Sequence, residues 1–143
     1  ARWPGKIKAG TSSNQTLNLT DLMATCAAVV NTKLPNDAAE DSYNLLPALL
    51  GQAAVGKMIR PDTLHQTISL ALAIRSGPWK YLDHKGSGGN NYAKGLLQQY
   101  ALPETAPQAT GQLFNLAVDP GETRNLFFTI ARSNNKWKIL IIK

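Results

Sequence analysis

The clearest hydrophobic pattern in the chain runs from Leu64 to Arg75. Leu64, Ile68, Leu70, Leu72 and Ile74 share one parity, and His65, Thr67, Ser69, Ala71, Ala73 and Arg75 share the other. Successive side chains on a strand point to opposite faces, so this alternation predicts a half-buried strand over 64–75. Ser76-Gly77-Pro78 is a turn signal, and Trp79 to Asp83 alternates again, which predicts an antiparallel hairpin. A different period governs Leu22, Met23, Cys26, Ala27, Val29 and Val30, which fall on one helical face. The pattern predicts a helix at about 20–31, capped by Thr20 or Asp21, stopped at Asn31, with Cys26 in the core. Asn44 to Gly51 predicts a short helix, with Pro47 tolerated in its first turn and Gly51 ending it.

Further along, Leu96 to Tyr100 predicts a helical turn and Gln112 to Leu116 a strand. Asp119-Pro120-Gly121-Glu122 reads as a turn, because Asp accepts hydrogen bonds from the backbone and Pro fixes one dihedral. The tail from 129 to 143 is ambiguous: Trp137, Leu140 and Ile141 suit a helix face, whereas the composition of 136–142 is strand-like. No internal repeat and no heptad is present.

Length and composition narrow the class. The 143 residues suffice for one core, and 43% of them are apolar. The net charge is +6, but only 17% of residues are charged, below the ~25% usual for globular domains. The bases are scattered and form no long run, which argues against a sequence-specific nucleic-acid arm and favours anionic small ligands or sugars. A single cysteine excludes an internal disulfide and a cysteine-based metal cluster. No apolar run approaches the ~18 residues of a membrane span. The opening Ala-Arg-Trp-Pro-Gly has neither initiator Met nor signal peptide, which reads as a processed product or a piece of something longer.

The inventory of chemical groups holds no complete catalytic site. Neither His65 nor His84 has a carboxylate at metal-ligand spacing. His84 reads as a loop residue, and His65 as either a solvent-face strand residue or a contact with substrate. The run Gly86-Ser87-Gly88-Gly89 lacks the Gly-Lys-Ser/Thr ending of a phosphate loop and reads as the exit of a hairpin. No serine sits in a nucleophile-elbow motif. Trp79-Lys80-Tyr81 has the groups to stack sugars or bases, and equally to cover a core.

Four ordered segments carry a resemblance. Ala1 to Gly10 with Leu19 to Thr25, then Asp41-Ser42-Tyr43-Asn44-Leu45-Leu46-Pro47-Ala48-Leu49-Leu50-Gly51, then Ala73-Ile74-Arg75-Ser76-Gly77-Pro78-Trp79-Lys80-Tyr81, and finally Leu113-Phe114-Asn115-Leu116 with Asp119-Pro120-Gly121-Glu122-Thr123-Arg124-Asn125-Leu126. Together they resemble the C-terminal portion of formylglycine-dependent sulfatases, in the bacterial arylsulfatase A-like branch. The resemblance implies an α+β fold: residues 1–60 as the end of the large α/β domain, and 61–143 as an antiparallel-sheet subdomain with a terminal helix, of the alkaline-phosphatase-like type.

It also implies that the parent hydrolyses sulfate esters with formylglycine and Ca²⁺, in the periplasm or outside the cell. Neither group has a home here. Cys26 is followed by Ala27-Ala28-Val29, not by the C/S-x-P-x-R pattern, and the family's metal ligands would lie before Ala1. No catalytic and no metal residue is therefore assigned. His65, in Leu64-His65-Gln66-Thr67 where the family often has V-H-H-S, is the substrate-rim candidate, with Arg75 and Lys80 as anionic-ligand contacts. The expected partner is a sulfated small molecule or glycan, with self-association of the isolated segment and no activity alone. The competing reading is a stand-alone module that binds sulfated or other anionic glycans through a basic face.

Overall fold

The computed structural model describes residues 1–86 and 94–130. The chain divides into two compact units, Ala1–Thr63 and Leu64–Lys143.

The first unit holds two short helices, α1 (Leu22–Val29) and α2 (Leu46–Leu49). A 3-10 turn at Leu19–Asp21 leads into α1. Asn31 ends α1 in the left-handed region at φ 53°, and Gly51 ends α2 at φ 70°, as their chemistry predicts. The helix face that turns inward is not the one that the apolar period suggested. Leu22, Met23, Cys26, Val29 and Val30 are exposed, whereas Asp21 and Thr25 are buried. Cys26 is thus a surface residue, not a core residue.

The reason is a polar layer. Asp21 sits at the N-cap of α1, but its carboxylate makes no cap bond to that helix. Instead it accepts from the amides of Asn18 (2.8 Å) and Tyr43 (2.9 Å) and is gripped by the Arg60 guanidinium, whose Nε lies 2.9 Å from Oδ2. Arg60 also donates to the Asp41 and Asp62 carbonyls and stacks over the Tyr43 ring at 4.6 Å. Thr25 continues the layer, donating to the Asp21 carbonyl at 2.7 Å and accepting from the Leu45 amide at 3.0 Å. One buried ion pair thereby ties α1, the 41–45 segment and the approach to the first strand.

That strand is β1 (Asp62–Gln66), and β2 (Leu72–Ser76), β3 (Trp79–Leu82) and β4 (Gln112–Asn115) follow it in a four-stranded sheet of order β1-β2-β3-β4. β2–β3 and β3–β4 are antiparallel. The single strand expected over 64–75 is in fact two strands separated by a turn. Thr67 N–H donates to the Ala71 carbonyl at 2.9 Å and its hydroxyl accepts from the Ala71 amide at 3.1 Å, so the backbone reverses at 68–70. Leu70 takes φ 63°, and Ile68 is fully in solvent. Alternation by parity survives a chain reversal of this kind, so the period alone could not register it. The β2–β3 hairpin stands as predicted, with Gly77 at φ 55° in its two-residue loop.

Both sheet faces are covered in part. Ile74, Tyr81 and Leu113 form one face, under Leu126, Phe127 and Ile130. Ala73, Leu82 and Phe114 lie on the other, with Leu116. A Cβ at Gly111 would come within 2.6 Å of the Leu82 carbonyl, so only glycine fits where β4 begins. The terminal-helix expectation covers 129–143, of which 131–143 lie outside the described residues.

Two outcomes are expected. Arg60→Ala leaves the Asp21 charge buried and unpaired and destabilises the first unit by about 3–5 kcal/mol in denaturant melts. Burial alone would raise the Asp21 carboxyl, but the bonds and charge of Arg60 and the two amides outweigh it and hold it below the usual range. The resulting stability is fully present above the ordinary carboxylate value and is lost as pH falls through the depressed one; the Arg60→Ala variant should not show this acid loss. In the second unit, Leu70→Gly removes left-handed strain and should stabilise by about 0.5–1 kcal/mol; an unchanged or lower melting midpoint would contradict that strain.

Candidate functional site

The sheet brings two of the predicted site residues, Arg75 and Lys80, to one face. Arg75 and Lys80 are direct register partners across β2 and β3, so both point to the side of Ala73, Leu82 and Phe114. His65 is exposed on β1 and senses both cations. Its imidazole is held below the ordinary value, first by desolvation and then by the charges of Lys80 and Arg75. At neutral pH it is therefore uncharged. Arg75 is exposed and spends one donor on the Gly77 carbonyl at 3.2 Å.

Lys80 differs from what the sequence suggested. Its ammonium bonds both oxygens of Glu122, at 2.7 and 2.9 Å, so its charge is already matched. Sequence reasoning took Glu122 only as the last residue of a turn. The structure gives that residue φ 55°, a left-handed conformation that disfavours any side chain. Asp119 enforces it. One oxygen accepts from the Thr123 amide (3.0 Å) and hydroxyl (2.9 Å), the other from the Arg124 amide (2.9 Å). These bonds hold the Asp119 carboxyl below its usual range, the Thr123 amide foremost. An acidic, non-glycine residue in the fourth turn position was the one signal in the sequence, and it did not name Lys80 as the partner.

Asn125 fixes the neighbouring loop. Its side-chain oxygen accepts from the Leu113 and Phe127 amides, its amide nitrogen donates to the Gly111 carbonyl and to Glu104, and its backbone N–H reaches the Thr105 hydroxyl at 2.7 Å. The result is a cleft of about 600 Å³, floored by Phe114, with Lys80 and Glu122 on one wall and Tyr100, Leu102, Glu104 and Thr105 on another. Tyr81, on the opposite sheet face, is buried and bonds Asp83 at 2.9 Å. Burial and that bond raise its phenol well above the usual range, so it stays a neutral donor.

His84 stays a loop residue: its Nδ1 lies 3.1 Å from the Lys85 carbonyl, and its own carbonyl accepts from the Gln112 side-chain amide at 3.3 Å. Among the described residues, no three His, Cys, Asp or Glu side chains converge in a way that could hold a metal, and no helix is long and apolar enough to cross a membrane. Arg60, the most consequential side chain of the first unit, was missed entirely, because a lone arginine ahead of Pro61 carries no motif.

No family model matches the chain. Curated relatives do. An N-acetylgalactosamine-6-O-sulfatase of Bacteroides thetaiotaomicron is 30% identical over 125 residues, covering 87% of this chain and 22% of that protein. The N-acetylgalactosamine-6-sulfatase of Homo sapiens is 40% identical over 136 residues, covering 92% and 26%. Arylsulfatase A of Bos taurus is 32% identical over 136 residues, covering 91% and 26%. This chain is related to the sulfatases. A solved structure concerned with glycosaminoglycan metabolism by Bacteroides thetaiotaomicron superposes with a TM-score of 0.75 and 27% identity, over 99% of this chain and 27% of that one. The α+β, alkaline-phosphatase-like fold is that of the sulfatase C-terminal portion, and the chain spans about a quarter of the length of the curated relatives it matches.

The electrostatics of the rim give a direct test. Replacing Arg75 or Lys80 by Ala removes a repelling charge and should raise the His65 titration midpoint in an NMR pH series, while desolvation keeps it below the ordinary value. An unchanged midpoint in both variants would separate His65 from these cations.

Proposed function

We propose that this chain serves as the C-terminal part of a sulfatase that hydrolyses sulfate esters, contributing structural support and the rim of the substrate pocket, and that it has no turnover alone. One observation carries the reading: sulfatases match nearly the whole chain, while the chain matches only about a quarter of each. In this reading residues 1–60 finish the large α/β domain and 61–143 form the smaller subdomain. The location is the periplasm or the cell exterior, and the substrate is a sulfated small molecule or glycan. An N-acetylgalactosamine 6-sulfate is the natural first probe, given the relatives' names.

The residues present do not fit formylglycine or a calcium ion. Cys26 lacks the modification pattern, and no donor set converges among the described residues. No chemical step is therefore routed through either group here. What this chain supplies is recognition. Arg75 has donors beyond the one used on Gly77. Neutral His65 offers a hydrogen bond at pH 7 and gains a charge on acidification. A bound sulfate would raise the midpoint of His65, so by linkage the sulfated sugar should bind several-fold more tightly as pH falls towards that midpoint.

The exposed residues Leu22, Met23 and Val29 of α1, with Val30 just after it, add a corollary. Such a surface is normally covered, so the isolated chain should self-associate. Two measurements test the reading. The chain, supplied with Ca²⁺ and an aryl sulfate or the 6-sulfated sugar, should release no sulfate; clear turnover would sink the claim of inactivity. Light scattering should show species larger than the monomer, and a monomer persisting at high concentration would remove the self-association.

A further inference from the structure

The cleft beside the cation pair has a charge that does not match the molecule around it. Its lining includes one cation, Lys80, and two carboxylates, Glu104 and Glu122. Lys80 is bound by Glu122, so the local balance is negative on a chain of net charge +6. A sulfate entering this cleft would meet net repulsion. We infer that the cleft takes the uncharged ring of a saccharide, and that the sulfate group is held outside it, towards Arg75 and His65. The inference deepens the rim reading and rests on it for the choice of sugar.

The remaining groups fit that ligand class. A sugar ring has an apolar face and a rim of hydroxyls. Phe114 provides a buried apolar floor, and Tyr100 and Leu102 stand exposed beside it. The carboxylates of Glu104 and Glu122 accept from hydroxyls. Lys80 has three N–H groups and spends two on Glu122, leaving one to donate. The Thr105 hydroxyl accepts from the Asn125 amide and still carries its own proton. A volume of about 600 Å³ lies within the ~300–1,000 Å³ typical of ligand sites. The strained φ of Glu122 holds its carboxylate in the wall before any ligand arrives, which lowers the ordering cost of binding.

The test is an NMR titration of the ¹⁵N-labelled chain with N-acetylgalactosamine, its 6-sulfate and a simple primary amine. The uncharged sugar should shift the amides of Thr105, Phe114, Gly121 and Glu122, with an affinity that salt does not change. Tyr100→Ala should weaken it about tenfold, and Tyr100→Phe should retain it. No shift from the uncharged sugar would overturn the inference. So would salt-sensitive, tighter binding of the 6-sulfate at the same amides, or a preference for the amine. Arg75→Ala separates the two proposals: it should weaken only the sulfated sugar. If it weakens neither, the anionic rim falls while the cleft assignment stands.

Discussion

A charge pair that almost never sees water organises the first unit. Asp21 and Arg60 are 1% and 8% exposed at their side chains, and between them they engage Asn18, Tyr43, Asp41 and Asp62. A buried carboxylate is costly unless its lone pairs are filled, and here amides and guanidinium fill them. Because these residues come from three stretches of sequence, 18–21, 41–43 and 60–62, the pair sets where each must pass. The helix follows the pair, not its own apolar stripe. That is why Thr25 faces inward and Leu22, Met23 and Val29 face out. The apolar stripe is then an unmet surface, consistent with a chain that spans only about a quarter of its relatives.

The second unit works by a different rule. Its sheet is thin, and both faces carry core residues, so side chains of adjacent positions such as Ala73 and Ile74 are buried on opposite sides. This arrangement puts Arg75 and Lys80 together at the edge of the Phe114 face. The turn at 119–122 then closes on Lys80 from sequence-distant positions. Charge matching there divides the surface: cationic around Arg75, locally acidic in the cleft.

Much of this was legible. The helix near 22–29, the stops at Asn31 and Gly51, the β2–β3 hairpin and the 112–115 strand all follow from period and turn chemistry. What failed did so for stated reasons. The break at 68–70 was hidden because a reversal preserves parity, and Leu70 adopts a conformation that composition would assign to glycine. Cys26 looked like core because an apolar stripe normally faces inward, but polar Asp21 and Thr25 took that place. His65, Arg75 and Lys80 were named from the sequence one by one, and the β2–β3 register makes Arg75 and Lys80 direct neighbours. Their inequality was not legible, since Glu122 lies 42 positions from Lys80 and only the folded sheet unites them.

The glycine at the start of β4 bears on how such a scaffold changes over time. With the Leu82 carbonyl pressed against it, position 111 admits no side chain, so the strand cannot slide. The segment at 104–105 is held instead by hydrogen bonds with Asn125, and lengthening a loop costs only as the logarithm of its length. A change of length before that anchor, at 100–103, therefore costs little and leaves the sheet register in place. Gly111 acts as a fixed datum, and the cleft wall at 100–103 is the part free to vary around it.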